Sequence, residues 1–166
     1  MEDKVKPKVS QRSENRRAAM QFLYAWEYNK PEVLQEGIHS FFEKEPRGRD
    51  YFKFAEFLIH GVIKHVEEID EEIKSLAKNW TFDRIARVDL AILRIAIFEL
   101  RHCEDIPPVV SINEAVELGK QYSKDDSKRF INGILDRLKG ELNRPAREAK
   151  NKAPSTNDDV LDGLVD

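Results

Sequence analysis

The side chains that could support nucleophilic catalysis or bind a metal are few: one cysteine and four histidines. His102 and Cys103 are adjacent, and a histidine beside a cysteine can act as the base that activates a nucleophile. Neighbouring residues on a helix, however, diverge by about 100° and cannot face one substrate. His60 and His65 are five residues apart and also point in different directions on a helix. None of the histidines, His39 included, is spaced for a metal site with a second ligand.

The sequence also lacks the motifs of nucleotide-using enzymes, with no phosphate-cradling Gly-rich loop and no dinucleotide fingerprint. Its many carboxylates follow the predicted helix surfaces, where they are most simply solvated. We therefore expect no enzymatic activity, no cofactor and no metal. The single cysteine rules out an internal disulfide, which is compatible with a reducing cytosol.

A surface suited to RNA is predicted on the first helix, expected at residues 14 to 29. The buried face of this helix is predicted to contain Ala19, Phe22, Leu23 and Trp26. On the opposite side, four residues fall within about 60° of one another: Arg17, Gln21, Tyr24 and Tyr28. Arginine can pair with phosphates and tyrosine can stack on bases. The alternative is that the tyrosines lie half-buried against a neighbouring helix, and this helix alone does not decide between the two.

Charge is distributed unevenly along the chain. The net charge of −3 argues against a nucleic-acid binder that works by total charge. Residues 1 to 17 nevertheless hold six basic side chains against three acidic ones, and residues 1 to 13 are predicted to form a flexible basic arm. Apolar content falls over residues 142 to 166, which predicts a disordered tail. The last ten residues hold four Asp and no basic residue.

The composition favours an all-α fold. Apolar residues make up 40% and charged residues 36%, and seven glycines and seven prolines leave few strand turns. A second helix is predicted to start at Pro31. Residues 50 to 78 are predicted to form one long helix, with a kink at Gly61 as an option. Its apolar residues recur every seven positions: Ala55, Val62, Ile69 and Leu76.

Three further helices complete the predicted fold. Thr81 is predicted to cap a central helix over residues 82 to 102, which is apolar around most of its circumference. Ser111 and Glu114 form a predicted capping box for a helix over residues 112 to 122. Gly119 in that helix indicates the close approach of another helix. An aspartate, Asp126 or the one before it, is predicted to cap the last helix, over residues 127 to 141.

Two features of these helices have competing interpretations. Asn132-Gly133 is a hairpin signal, but apolar residues at helical spacing on both sides favour a continuous helix in which the glycine costs about 1 kcal/mol. Close approach of another backbone, or of a ligand, would compensate at Gly133. Asp89 and Glu99 interrupt the apolar faces of the central helix, and each either pairs with a nearby arginine or meets a partner.

Three stretches are specific enough to indicate a family: NWTFDRIARVDLAILRIAIFEL (79 to 100), DIPPVVSINEAVELGKQYSKDDSKRFINGILDRL (105 to 138) and RRAAMQFLYAWE in the first helix. They resemble the NusB family of bacterial transcription antitermination factors. The resemblance implies an all-α NusB-like domain over residues 14 to 141, with two small bundles joined along a long central helix and six to seven helices. It also implies binding to the boxA element of nascent RNA with the ribosomal protein NusE. That complex helps RNA polymerase pass terminators, notably in ribosomal RNA operons.

Site residues follow partly from this resemblance and partly from charge. Tyr24 and Asp89 match positions on the family's NusE-facing surface. The residues predicted to bind RNA lie in the arm, the first helix and the start of the last helix: Arg12, Arg16, Arg17, Asp126, Lys128, Arg129 and Phe130. A helix N-terminus with two basic residues is a reasonable phosphate site, and a phenylalanine there could stack on a base. Family arms often have consecutive arginines, whereas here the arm reads QRSENRR.

Other interpretations stay open on the sequence. The chain could be a protein-interaction module that binds NusE, or itself, and touches RNA little, and a homodimer is possible. The helical domain fused to some RNA cytosine methyltransferases is also similar, but this chain has no room for their cofactor-binding domain. The sequence shows neither a signal peptide nor an apolar stretch of membrane-spanning length, so we expect a cytoplasmic protein.

Overall fold

The computed structural model describes residues 9 to 142, which form seven α-helices and two short 3₁₀ helices and contain no strand. The α-helices are α1 (Gln11–Tyr28), α2 (Leu34–Glu43), α3 (Lys53–Lys64), α4 (Val66–Leu76), α5 (Arg87–His102), α6 (Pro108–Tyr122) and α7 (Ser127–Glu141). The 3₁₀ helices are Arg49–Phe52 and Phe82–Arg84. This confirms the predicted all-α fold. Within the described range, no helix is both long enough and apolar enough to cross a membrane.

The centre of the fold is α5. It packs against one group of helices, α1 and α3, and against a second group, α4, α6 and α7. The central helix therefore joins these two groups. Every residue from 89 to 100 is buried, as expected for a helix that is apolar around most of its circumference. The helix begins at Arg87 rather than at residue 82, because a 3₁₀ turn comes first. Thr81 forms no side-chain capping hydrogen bond with the described residues, so the predicted cap is wrong.

The segment predicted as one long helix is divided into two. The apolar repeat was predicted correctly, since residues 55, 62, 69 and 76 are all buried. The helix nevertheless ends at Lys64, and His65 (φ −109°, ψ 16°) joins α3 to α4. The N–H of His65 is shared between the carbonyls of Gly61 and Val62, at 3.1 and 3.2 Å. After this break, α4 packs against α5 and α7.

Two glycines mark close contacts between helices. A Cβ on Gly61 would lie 2.0 Å from Cζ of Phe98 on α5, so this glycine allows α3 and α5 to approach closely. The helix break is at His65 and not at Gly61. A Cβ on Gly119 would lie 2.9 Å from Cδ1 of Ile131 on α7, which confirms the predicted close approach there.

The Asn132-Gly133 pair lies inside α7, so the predicted continuous helix is confirmed. A Cβ on Gly133 would meet no heavy atom within 4 Å among the described residues. The prediction that the close approach of another backbone compensates for the cost of this glycine is therefore wrong. The space beside Gly133 is open.

The start of α1 differs from its prediction. The helix begins at Gln11, three residues earlier than expected, because Ser10 Oγ accepts a hydrogen bond from the N–H of Ser13 at 3.1 Å. Such a side chain satisfies a donor that the first turn leaves unpaired. Residues 11 to 13, assigned to the flexible arm, are thus helical. The remainder of the arm before residue 9 and the predicted tail beyond residue 142 lie outside the described residues.

Two other helix starts also differ. Pro31 does not begin α2, which starts at Leu34; instead the proline ring lies against Gly37, where a Cβ would be 2.7 Å from Pro31 Cγ. Pro108 begins α6, because its fixed φ suits the first helical position. Ser111 therefore lies within α6, and the predicted capping box is wrong.

Candidate nucleic-acid interface

The start of α7 presents basic and aromatic side chains together. Lys128 and Arg129 are exposed in its first turn, and Phe130 is half-buried with its ring centroid 5.2 Å from that of Trp80. Trp80 is 58% exposed. These four residues are named here the α7 surface. An open cavity of about 300 Å³ lies beside it, and Gly133 forms part of the cavity wall.

Trp80 is a site residue that the sequence reasoning missed. It lies in the turn between α4 and α5, where its N–H donates to the carbonyl of Ala77 at 3.0 Å. Only the folded chain brings it beside α7. The available signal was a large aromatic residue between polar neighbours, Asn79 and Thr81, in a predicted turn.

Two more charged residues border this cavity. Arg137 Nη1 donates to the carbonyl of Leu76 at 2.6 Å, which satisfies an acceptor at the end of α4. Asp126 stands at the N-cap position of α7 but forms no side-chain capping hydrogen bond with the described residues. Its predicted capping role is wrong, and its exposed carboxylate stands beside the cavity.

Asp89, predicted to contact NusE, lies inside the protein. Its carboxylate accepts hydrogen bonds from Ser123 Oγ at 2.5 Å and from Ser127 Oγ at 2.7 Å. Ser127 is the first residue of α7, so its hydrogen bond to Asp89 links the start of that helix to α5. The residue is 4% exposed and its carboxylate is engaged inside the fold, where the prediction expected an accessible surface residue. Its partners are serines and not the arginine that the other interpretation expected.

Arg16, predicted to bind RNA, is also buried. Its guanidinium forms a two-pronged pair with Glu99, with Nη2 at 2.6 Å from Oε1 and Nε at 3.0 Å from Oε2. Ser111 Oγ donates to the same carboxylate at 3.1 Å. Burial disfavours the charge of Arg16, but the hydrogen bonds and the charge of Glu99 more than offset this and raise its pKa. Arg16 therefore joins α1, α5 and α6, and it is buried where the prediction expected an accessible arginine. For Glu99, the expected pairing with an arginine is confirmed.

The other two arginines of α1 are accessible. Arg12 is exposed, and its guanidinium carbon lies 4.4 Å from the ring centroid of Phe54. Arg17 is half-buried, and its Nη1 donates to Gln21 Oε1 at 3.0 Å. Arg17 lines a groove together with three carboxylates, those of Glu14, Glu114 and Glu117. These acidic neighbours weaken the attraction of Arg17 for phosphate.

The tyrosines of α1 are on the surface. Tyr24 is 39% exposed and Tyr28 is 66% exposed, and their rings meet edge to face with centroids 5.3 Å apart. The hydrogen bond with Tyr24 raises the pKa of Tyr28. The half-buried alternative is therefore wrong for Tyr28, whereas Tyr24 has more than half of its surface covered. Next to them on α1, Glu27 accepts a hydrogen bond from Arg94 Nη1 at 2.6 Å.

His102 and Cys103 do not form a catalytic pair. Cys103 is buried, and burial, followed by the carboxylates of Glu99 and Asp105, raises its pKa to about 12. His102 is exposed at the end of α5. A protonated, buried thiol is a poor nucleophile.

Comparison with known proteins identifies the family. The sequence profile described as the NusB family matches residues 13 to 139. The chain belongs to the NusB family. It is 43% identical over 137 residues to the transcription antitermination protein NusB of Myxococcus xanthus (strain DK1622), covering 81% of this chain and 98% of that protein. This is a family of transcription antitermination factors and not of enzymes, as the sequence predicted.

Solved structures share the fold. NusB of T. maritima superposes with a TM-score of 0.71 at 31% identity, covering 81% of this chain and 93% of that one. A chain in a crystal structure of the antitermination factors NusB and NusE in complex with dsRNA gives a TM-score of 0.69 at 26% identity. It covers 81% of this chain and 100% of that one. The predicted NusB-like fold is thereby confirmed.

Proposed function

We propose that this antitermination factor binds boxA-type nascent RNA together with the ribosomal protein NusE, within the RNA polymerase antitermination complex, and so promotes processive transcription of ribosomal RNA operons. The family supports this role, as does the relative found with NusE and dsRNA. The observation that carries RNA binding is the α7 surface, where exposed aromatic and basic side chains meet. Bacterial transcription places this action in the cytoplasm.

The parts of the α7 surface act differently on RNA. Trp80 and Phe130 stack on bases, and stacking contributes about 1–3 kcal/mol per base. Lys128 and Arg129 neutralise phosphates, and the positive end of the α7 helix dipole adds partial positive charge. The cavity at Gly133 receives a base turned out of the strand. Asp89 supports this surface indirectly, because it fixes the first residue of α7.

A second RNA contact comes from the beginning of the chain. Arg12 is exposed on α1, and three lysines precede it within residues 1 to 8. Arg17 contributes less because of the acidic groove around it. Arg16 takes no part, because leaving Glu99 would strand a buried charge.

The NusE contact uses the tyrosines of α1. Tyr24 and Tyr28 offer two exposed rings with hydroxyl groups, and tyrosine is enriched in protein interfaces. Asp89 is not part of this surface.

The acidic surroundings of Arg17 and the burial of Arg16 favour a second candidate, a protein-interaction module with little RNA affinity of its own. Such a module binds NusE or a second copy of itself. The two candidate functions differ in whether the protein binds RNA appreciably and whether its affinity depends on the RNA sequence.

The test is fluorescence anisotropy of a labelled boxA-like RNA, with and without NusE, at two salt concentrations. A scrambled RNA is the control. We expect selective binding that tightens with NusE and weakens with salt, and Lys128→Ala lowers the salt slope by about one unit. Binding to NusE without any gain in RNA affinity contradicts the proposal and supports the interaction module.

A further inference from the structure

The junction of α3 and α4 meets the end of α5 at a group of three potential metal ligands. His65 lies at the break between the helices, Glu68 follows in the first turn of α4, and His102 is the last residue of α5. One ligand atom from each lies within 4.8 Å of the others. Spacing along one helix could not reveal this group, because His102 comes from another element. The expectation that no histidine has a second ligand therefore needs revision.

The imidazole rings of His65 and His102 stack on each other and on Phe98. Their ring centroids are 4.2 Å apart with an interplanar angle of 21°. Phe98 stacks against both, at 5.3 Å from His102 and 6.3 Å from His65. Phe98 is itself buried against Gly61. Stacked rings direct their nitrogen lone pairs along nearly parallel planes, so a shared ion requires the exposed His102 ring to turn until both nitrogens converge.

The surrounding charge favours a cation. Arg101 is the nearest basic neighbour on α5, and its Nε donates to Glu72 Oε1 at 2.9 Å, which offsets its charge. Glu68 is left to interact with the imidazoles, with Oε2 at 3.5 Å from Nδ1 of His65. Imidazole binds metals in its neutral form through a ring nitrogen.

We propose that His65, Glu68 and His102 bind a divalent transition-metal ion, with Zn²⁺ as the best match. Zn²⁺ takes imidazole nitrogen and carboxylate oxygen at about 2.0–2.2 Å in tetrahedral sites, which puts ligand atoms about 3.4 Å apart. The His65 to Glu68 distance already meets this spacing. Rotation of the largely exposed Glu68 side chain and of the exposed His102 ring brings the remaining ligand atoms to this spacing from within 4.8 Å, and water fills the fourth position.

A bound ion would link α4 to α5 next to the break at His65. It shares no residue with the α7 surface, so this inference stands apart from the proposed RNA function. The ion acts by holding one arrangement of the α3 to α4 junction, since a ligand that binds only the folded chain stabilises it.

The test is zinc titration of the full-length, untagged protein in competition with a chromophoric chelator. We expect one Zn²⁺ per chain, at least tenfold weaker binding for His102→Ala and Glu68→Gln, and a Tm about 5–10 °C higher at zinc concentrations near 100 times Kd. The control is His60→Ala, another exposed histidine, whose ring contacts Gln35 at 3.2 Å. It should bind zinc as the wild type does.

Glu68→Gln keeps the shape of an exposed side chain, so we expect this variant to fold as the wild type does. Circular dichroism checks its folding, and weaker zinc binding then reflects the lost carboxylate. Co²⁺ in place of Zn²⁺ should give the visible absorption of a tetrahedral site. No saturable zinc binding, or binding that both variants retain, overturns the proposal. In that case the histidines only stack and pair with Glu68.

Discussion

Replacing single glycines with alanine tests the packing of three helices by the same chemical change. In a helix interior, alanine is favoured over glycine by about 1 kcal/mol. At Gly133 the new methyl group meets no described atom within 4 Å. We therefore expect Gly133→Ala to raise the free energy of unfolding by about 1 kcal/mol, which raises Tm by about 2–4 °C.

The same change at Gly61 should have the opposite sign. Its Cβ would lie 2.0 Å from a ring carbon of Phe98, which is fixed in the core. Overpacking of this kind destabilises by about 1–3 kcal/mol. Gly119→Ala should fall between the two, because its neighbour at 2.9 Å is the flexible end of Ile131.

Urea denaturation followed by circular dichroism measures all three variants. The expected order of stability is Gly133→Ala above wild type, Gly119→Ala near it and Gly61→Ala below. Destabilisation by Gly133→Ala would contradict the conclusion that the space beside Gly133 is open. If the cavity at Gly133 receives a base, the stabilised variant should also bind RNA more weakly.

Four further predictions concern residues whose side chains the structure places. Arg16→Ala should destabilise the protein by about 3–5 kcal/mol in urea, because it strands the buried carboxylate of Glu99, and an unchanged midpoint would contradict the pairing. Asp89→Ala should destabilise by about 1.5–3 kcal/mol, since charge-assisted hydrogen bonds to α7 are lost; intact stability with lost NusE binding would instead restore its predicted surface role. Tyr24→Ala should weaken NusE binding in calorimetry without lowering Tm. Cys103 should resist a thiol reagent at pH 8 until urea unfolds the chain, because a pKa of about 12 keeps it protonated.

The helices themselves were predictable because their apolar residues repeat with the helical period. The same repeat concealed the break at His65, since residues 55 to 76 keep one seven-residue pattern across two helices. Periodicity records which face is buried, and two helices that pack on the same core can share it. The backbone change at one polar residue leaves no mark in such a pattern.

Charged site residues were harder to predict than the fold. Arg16 and Asp89 look like surface residues in the sequence, yet partners from other helices, Glu99 and Ser127, hold them inside. Trp80 reaches Phe130 only through the packing of a turn against α7. The contacts that decide these roles join residues far apart in the chain, which spacing within one helix cannot show.

The most direct test of the central claim, that the α7 surface binds RNA, is the affinity of boxA-like RNA for Trp80→Ala and Phe130→Ala in the presence of NusE. Loss of a stacked base predicts affinities lower by about 5- to 150-fold for each variant. The matched control is Phe57→Ala, an aromatic residue 51% exposed on α3, which should bind RNA as the wild type does. Wild-type affinity in both α7-surface variants, with folding intact, would contradict the account.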